Sequence, residues 1–569
     1  MERRVFLAIL LSFVVLFGYQ AFFAPKPAPR PPAQPAQQTQ PGSPAAGQPA
    51  QTPSVTSAPP QAPANAAAPV VADTAAREIV VDTDAVRAVF NTRGAVLTSW
   101  KLKRYSGADG QPLDLVPPDL PASEARPFAM KTGDAALDQV LATALFKPAA
   151  DSMTVAGTQA ATIGFEYRDA AGLVARKQFV LNAGGQPYMI QVSGAVERGG
   201  EKPPFKFAFG PSLGAGYNTS GSSYYYPPAA IHSDGSSVDR LDADDITAQP
   251  RYQGAYRWAG VSDHYFLGAV VSQGQPLAVE YAPVTSPLPG GEPDAVRTFV
   301  SWTADAAPDA PLSVFYGPKD FDTLRAVEGS MVRAIDFGIF AWLVVPLLTA
   351  LKWVNGYIGN WGWSIVVLTL LINAAMAPLR HKSLVSMRKL QKLQPEVKAI
   401  QKRYEKYKMT DPERQKMNTE MMNLYRERGV NPASGCVPML LTMPVLFAFY
   451  ALLSVAIELR GAPWFGWIQD LSVHDPLYIT PLLMGGTMFW QQYITPSTAD
   501  PVQQRMMLIM PAVFLVMFLW APSGLVLYWL FSNLWAIGQQ IVTSRMSDPV
   551  VVTTPQAPAV RRLKQTKKP

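Results

Sequence analysis

Thr369 and Asn373 stand four residues apart in a run that carries no charge from Trp363 to Leu379, so on a helix they share one face. A hydroxyl and a carboxamide at that spacing can donate and accept hydrogen bonds but have no base or metal beside them. Tyr528, Ser532, Trp535 and Gln539 form a second polar and aromatic stripe, with Asn533 beside it and Thr442 in an earlier apolar run. These residues either line one hydrophilic pocket or make ordinary interhelical hydrogen bonds, worth ~0.6–2 kcal/mol each. Spacing alone does not choose between the two.

Other chemistries lack their residues. Cys436 is the only cysteine, and His232, His264, His381 and His474 stand singly, without an HExxH pair. That excludes an intrachain disulfide, a CxxC pair and a cysteine-rich zinc site. No GxxxxGK[ST] loop is present, so nothing points to ATP. Asp263 precedes His264, but no motif places a second carboxylate for acid–base work. No cofactor is expected.

The elements that must hold the polar residues are hydrophobic. The chain is 48% hydrophobic and 16% charged, against roughly 25% charged in a soluble domain. The uncharged stretch from Trp363 to Leu379 covers only ~26 Å, short of the ~30 Å hydrocarbon core. A short span with a polar face makes a poor anchor and a better wall for a wet site. Further spans are expected at Val437–Ile457, Leu477–Trp490, Met506–Ala521 and Gly524–Val542, with Pro438, Pro444, Pro481, Pro511 and Pro522 predicting bent helices.

The organisation follows in order. Residues 1–24 read as an uncleaved transmembrane anchor with Arg3 and Arg4 at its start, and 25–74 as a Pro/Ala/Gln-rich linker. Residues 75–320, with alternating runs and GG, DG and PG turns, predict a large antiparallel β-sandwich. Residues 321–360 include Phe337–Leu351, an apolar stretch interrupted by Pro346. It is too short for a confident span and predicts an interfacial amphipathic helix. Residues 361–545 form a core of five spans.

Within that core, 380–428 carries 14 Lys/Arg and 6 Asp/Glu. Leu390, Leu393, Val397, Ile400, Tyr404 and Tyr407 step through it in a heptad rhythm, and Asp411-Pro412 starts a second arm. This is a basic helical hairpin. Residues 546–569 are a basic tail. The positive-inside rule puts the hairpin and both termini in the cytoplasm, and the acidic loop Glu458–Pro476 and the β domain outside.

The runs GNWGWSIVVLTLL (Gly359–Leu371), LQPEVKAIQKRY, MNTEMMNLYRERGVNP, GCVPMLLTMPVLFAFY and PSGLVLYWLFSNLWAIGQQ resemble the Oxa/Albino/YidC family of membrane protein insertases. NTRGA (Asn91–Ala95), Tyr265-Phe266 and YGPK (Tyr316–Lys319) resemble the periplasmic domain of its Gram-negative members. The resemblance implies an α-helical polytopic inner-membrane protein with six transmembrane helices, a cytoplasmic hairpin and a periplasmic β-sandwich. It implies insertion and folding of nascent membrane proteins, alone or with the Sec translocon, through a hydrophilic groove in the phospholipid bilayer. Thr369, Asn373, Thr442, Tyr528, Ser532, Asn533 and Gln539 would line the groove. Arg380, Lys382, Arg388, Lys389, Lys402, Arg403, Arg561, Arg562 and Lys564 would form the cytoplasmic mouth and meet the ribosome.

One departure matters. Where the family normally carries an arginine four residues after a threonine, this chain has Asn373 after Thr369, and Thr442 stands where some members carry a groove glutamine. The groove is then neutral, or Arg380 reaches inward. A small-molecule transporter with an extracytoplasmic sensor is the alternative, though no internal repeat supports it. A carbohydrate-active β domain on an anchor would need only the first span.

Overall fold

The computed structural model describes residues 68–107, 110–118, 124–211, 213, 228–287, 296–407, 411–430, 437–495 and 501–546. The expected anchor, most of the linker and the tail bearing Arg561, Arg562 and Lys564 lie outside the described residues.

Alternation of apolar and polar residues builds the β domain. Leu173–Leu181 buries every second side chain, as a strand with one wet face must. It sits in a ten-stranded sheet in which Ala161–Asp169, Leu173–Leu181, Met189–Arg198, Leu312–Pro318, Phe266–Val271 and Trp258–Ser262 are successive neighbours. Two five-stranded sheets complete the domain. Among the described residues, pairing is antiparallel except between Glu78–Asp82 and Ser152–Thr154. Trp100, Trp258, Trp302, Tyr281 and Tyr316 are almost fully buried in the core. The domain begins before residue 75, because Pro69–Val71 pairs with Ala161–Asp169 at the sheet edge. Proline-rich composition hid that strand, which uses the edge position where a missing N–H is tolerated.

Trp258–Ser262 and Phe266–Val271 bury both faces. Part of the second cover comes from the segment leading to the membrane helices: Trp258 Nε1 donates to Ser330 Oγ at 3.1 Å, within the 3₁₀ turn Gly329–Ala334. Among the described residues the chain then enters seven long helices: α1 Ala341–Ile358, α2 Trp361–Arg403, α3 Pro412–Glu427, α4 Val437–Val455, α5 Ile479–Ile494, α6 Pro501–Phe518 and α7 Ser523–Met546.

Helix α1 is longer than the apolar stretch suggested. With the preceding turn it gives 21 residues, Gly338–Ile358, long and apolar enough to cross a membrane by length and composition. Trp361–Arg403 and Ser523–Arg545 also meet that test, while Met443–Val455 and Met507–Phe518 are shorter apolar helices. Three of the expected bending prolines do something else. Pro438 and Pro481 fall in the first turns of α4 and α5, and Pro522 precedes α7, where no N–H is needed. Pro444 and Pro511 are internal.

Helix α2 is continuous for 43 residues, or ~65 Å, about twice the hydrocarbon thickness. The span and the first hairpin arm are therefore one continuous helix, with Pro378 and Pro395 inside it. Its start is fixed by Asn360, whose side chain accepts from Trp363 N at 3.0 Å and donates to the carbonyls of Pro463 and Trp464 at 3.2 Å each. Gly362 lets the helix approach the following loop: a Cβ there would lie 2.3 Å from the Trp464 ring. Leu390, Leu393, Val397 and Ile400 form the buried hairpin seam, with Met417 of α3 buried too. Tyr404 is already the C-cap of α2, so the last two expected seam positions lie past its end.

Candidate functional site

The polar residues singled out in α2 and α7 meet between those helices. Thr369 is fully buried, and its hydroxyl donates to Ile365 O at 2.6 Å. This back-bonding satisfies a donor that lipid could not. Asn373, 4% exposed, bridges three groups. Its Nδ2 donates to Thr369 O at 2.8 Å and to Ser532 Oγ of α7 at 3.4 Å, and its Oδ1 accepts from Arg380 at 2.7 Å. Arg380 lies seven residues on, ~10 Å along the helix and nearly in phase with Asn373. Its side chain runs back toward Asn373.

Tyr528 stacks on Phe449 of α4, ring centroids 4.5 Å apart, and its hydroxyl interacts with Ser532. Gln539 donates to Ala377 O at 2.7 Å, next to Pro378 of α2. Its Oε1 and the Trp535 Nε1 are buried without hydrogen-bond partners among the described residues. Unpaired buried polar atoms cost about 1–3 kcal/mol each. The α2–α7 seam thus carries polar capacity that its own packing does not use.

Not every expected site residue belongs to this seam. Asn533 turns toward α5, donating to Thr487 Oγ1 at 3.4 Å, and Gln540, one helical repeat later, meets Thr495 at 3.2 Å. That line joins α7 to α5. Thr442 lies in the part of α4 whose side chains are outside the described residues. Of the basic residues expected at the mouth, Lys382, Lys389, Lys402 and Arg403 are exposed. Arg388 instead donates to Thr543 O at 3.0 Å, and His381 meets the Thr543 hydroxyl at 3.1 Å. These two contacts fasten the base of the hairpin to α7.

A second cluster, which the sequence did not single out as a unit, joins the β domain to the helices. Phe266 pairs with Pro318 and Leu267 with Gly317, so the Tyr265-Phe266 and YGPK motifs are neighbours. Lys319 Nζ donates to Asp263 O at 2.5 Å, and the Asp263 carboxylate accepts from Tyr265 N and Phe266 N at 2.9 and 2.6 Å. Burial pushes the Asp263 carboxyl up to about 6 and the His264 imidazole down to about 4. His264 is therefore neutral at pH 7, and its Nε2 donates to Ser454 O of α4 at 2.8 Å. Asp263 and His264 are turn and junction residues. Arg460 lies over the rings of Tyr265 and Phe266, 5.9 and 5.4 Å from their centroids. Below them Lys352 of α1 meets Asp320, Asp322 and Glu458 at 3.2, 2.7 and 2.8 Å.

A family model described as "60Kd inner membrane protein" matches residues 353–549, and one described as "YidC periplasmic domain" matches residues 78–350. The membrane protein insertase YidC of Geobacter metallireducens is 37% identical over 559 residues, covering 95% of this chain and 98% of that protein. The chain belongs to the YidC family of membrane protein insertases. YidC of Geobacter sulfurreducens is 36% identical, covering 96% of this chain and 98% of its own. A solved structure titled an active YidC insertase with the first transmembrane domain resolved aligns over 84% of this chain and 95% of that one, at 17% identity and a TM-score of 0.33. The two matched regions together span the β domain and the helices. The YidC periplasmic match ends inside α1, and the inner-membrane match begins there. The protein is thus an inner-membrane member of the YidC family with a periplasmic β domain, and the seam lies in its membrane core.

Proposed function

We propose that the chain inserts newly made inner-membrane proteins by drawing a hydrophilic segment into the seam between α2 and α7, while the segment's apolar helix leaves along the spans. The observation that carries this reading is Asn373, whose amide ties α2 to α7 through Ser532 inside otherwise apolar helices. A polar seam lowers the penalty of moving polar groups through hydrocarbon. The bounding helices α5 and α6, 16 and 18 residues long, are only ~24–27 Å, so the remaining barrier is thin. Binding and desolvation suffice, without a covalent step.

Thr369, Asn373, Tyr528, Ser532 and Gln539 form the substrate path in this proposal. The exposed lysines and arginine of the hairpin, with Arg561, Arg562 and Lys564 of the tail, offer positive charge to ribosomal RNA and acidic substrate segments. The Sec translocon is a further partner consistent with the family. In this reading helix α1 lies along the periplasmic surface, which the bonds from Lys352 to Asp320 and Asp322 beside the β domain support. Both termini are cytoplasmic in this arrangement.

Depletion of the protein in cells, followed by pulse-labelling of short single-span proteins with little Sec dependence, tests the proposal. Their insertion should fall sharply. Normal insertion would overturn the reading. Removing most of the β domain while keeping residues from Phe321 onward should leave much of the activity, whereas a carbohydrate-active enzyme would lose all of it.

A further inference from the structure

The loop 458–476, between α4 and α5, lies at the end of the seam nearest the β domain, where Arg460 covers Tyr265 and Phe266. It holds the first turn of both seam walls. Asn360, the N-cap of α2, donates to the Pro463 and Trp464 carbonyls at 3.2 Å each. At the start of α7, Ser523 N and Oγ both donate to Val473 O at 2.7 Å, and Gly524 N donates to Leu471 O at 2.9 Å. Such N–H groups are the ones a helix's own ladder leaves unpaired. In the insertase reading a hydrophilic segment enters the seam near Arg380 and leaves at the other end. There it meets this loop.

The loop has an anchored part and an exposed tip. Leu459, Ala462, Ile468 and Leu471 are buried. Leu471 N donates to Ala462 O and Trp464 N to Ile468 O, both at 3.0 Å, which closes a neck between the two arms. Beyond the neck Pro463, Phe465 and Gly466 are exposed. Gly461 and Gly466 have φ of 67° and 60°, left-handed turns that glycine makes without strain. One stands on each side of Trp464.

Trp464 is the tip's grip on the walls. Its ring sits in the notch over Gly362 of α2. It lies edge-on to Trp363 of α2 and Phe531 of α7, with centroids 5.4 and 6.4 Å away. The ring therefore touches both helices that form the seam. Its Nε1 is buried there without a hydrogen-bond partner among the described residues. An unpaired buried donor raises the energy of the seated ring, and water would satisfy it once the ring swung out. The closed position is held by apolar contact and opposed by one unmet polar atom.

We propose that residues 463–466 are a gate at the exit of the seam, with Trp464 as its latch on Gly362. The tip swings out about Gly461 and Gly466 when a translocated segment arrives from the seam. This rests on the insertase reading and adds a step to it. Entry into the seam and release beyond it are separate events, and Trp464 sets the barrier to the second.

The experiment uses the full chain carrying C436S in phosphatidylcholine vesicles, with a single-span substrate that has a short hydrophilic N-terminal tail. G362C/W464C replaces the latch by two thiols. A Cβ at 362 lies 2.6 Å from that of Trp464, so a shift of about 1 Å reaches disulfide spacing. Crosslinking of the tail to benzoylphenylalanine in place of Trp535 reports entry, and protection of the tail from external protease reports release. The oxidised variant should still crosslink the tail but protect several-fold less of it. Reductant should restore protection, at a rate above that of the C436S parent, because the reduced pair has no latch. Equal protection in the oxidised and reduced forms would overturn the proposal. So would joint loss of crosslinking and protection on oxidation, since the loop would then only support the helices. W464A, which carries no thiols, should release the tail faster with crosslinking retained; slower release would count equally against the gate. If the C436S parent neither crosslinks nor protects the tail, the insertase reading itself fails instead.

Discussion

Lys177 illustrates how much a single side chain can carry without touching substrate. Its Nζ is 3% exposed and lies 2.7, 3.1 and 2.8 Å from the carbonyl oxygens of Gly94, Ala95 and Phe128. Gly94 and Ala95 have φ of 73° and 46°, a left-handed pair that aims two carbonyls at one donor. This gives the NTRGA motif a physical role: it is the turn that Lys177 closes. Burial pulls the amine down to about 7. The unfolded chain, near 10.5, binds more protons between the two values, so stability rises with pH across roughly pH 7 to 10.5. K177M should flatten that rise, as read by thermal melts of the full protein over this range. Asn373 belongs to the same scale. N373L removes three hydrogen bonds at once and should cut insertion several-fold, measured by protease protection, with little change in the amount of protein in the membrane. The polar face of Thr369 and Asn373 was legible because a four-residue spacing in an apolar run is rare. The inward reach of Arg380 was left open by sequence, since a long side chain at a helix end can equally snorkel to water.

At the scale of elements, type and order were readable and lengths were not. Hydrophobic runs place the helices well, but a run says nothing of how far polar residues extend the same helix. Helix α1 gains residues past Leu351, and α2 continues through Arg380 into the hairpin without a break. The seam of the hairpin was visible as a heptad rhythm because Leu390, Leu393, Val397 and Ile400 recur at helix spacing. Two substitutions test these elements. L393D places a charge in the seam and should unfold the hairpin, seen as protease cleavage between Arg388 and Arg428, while the β domain keeps its melting temperature. G362V forces a side chain against Trp464 and should cost about 1–3 kcal/mol of stability through overpacking, which denaturant titration of tryptophan fluorescence can read.

For the molecule as a whole, the sequence separated a β region from a membrane region but gave no sign of how they join. The junction consists of side chains far apart in the chain: His264 with Ser454, Arg460 with Tyr265 and Phe266, and Lys352 with Asp320, Asp322 and Glu458. No local pattern announces such pairs. Their weight is testable through K352M, which leaves the carboxylates around it uncompensated. The expected cost is about 3 kcal/mol, appearing as a lower temperature for the β domain's unfolding transition in the intact protein. E458Q in the K352M background should return part of it, because the three-acid cluster loses one charge.

The continuity of α2 has a consequence of another kind. The polar seam and the hairpin arm share one helix, so the direction in which Asn373 and Arg380 point fixes the direction in which Leu390 and Leu393 point. A single residue inserted between Arg380 and Leu390 turns everything beyond it by about 100°, swinging the hairpin around the helix while leaving every local contact sequence intact. Seven inserted residues return it to within about 20°. The spacing between the two halves is thus a gear ratio written in residues, and hairpins exchanged among relatives should function only when that count is kept.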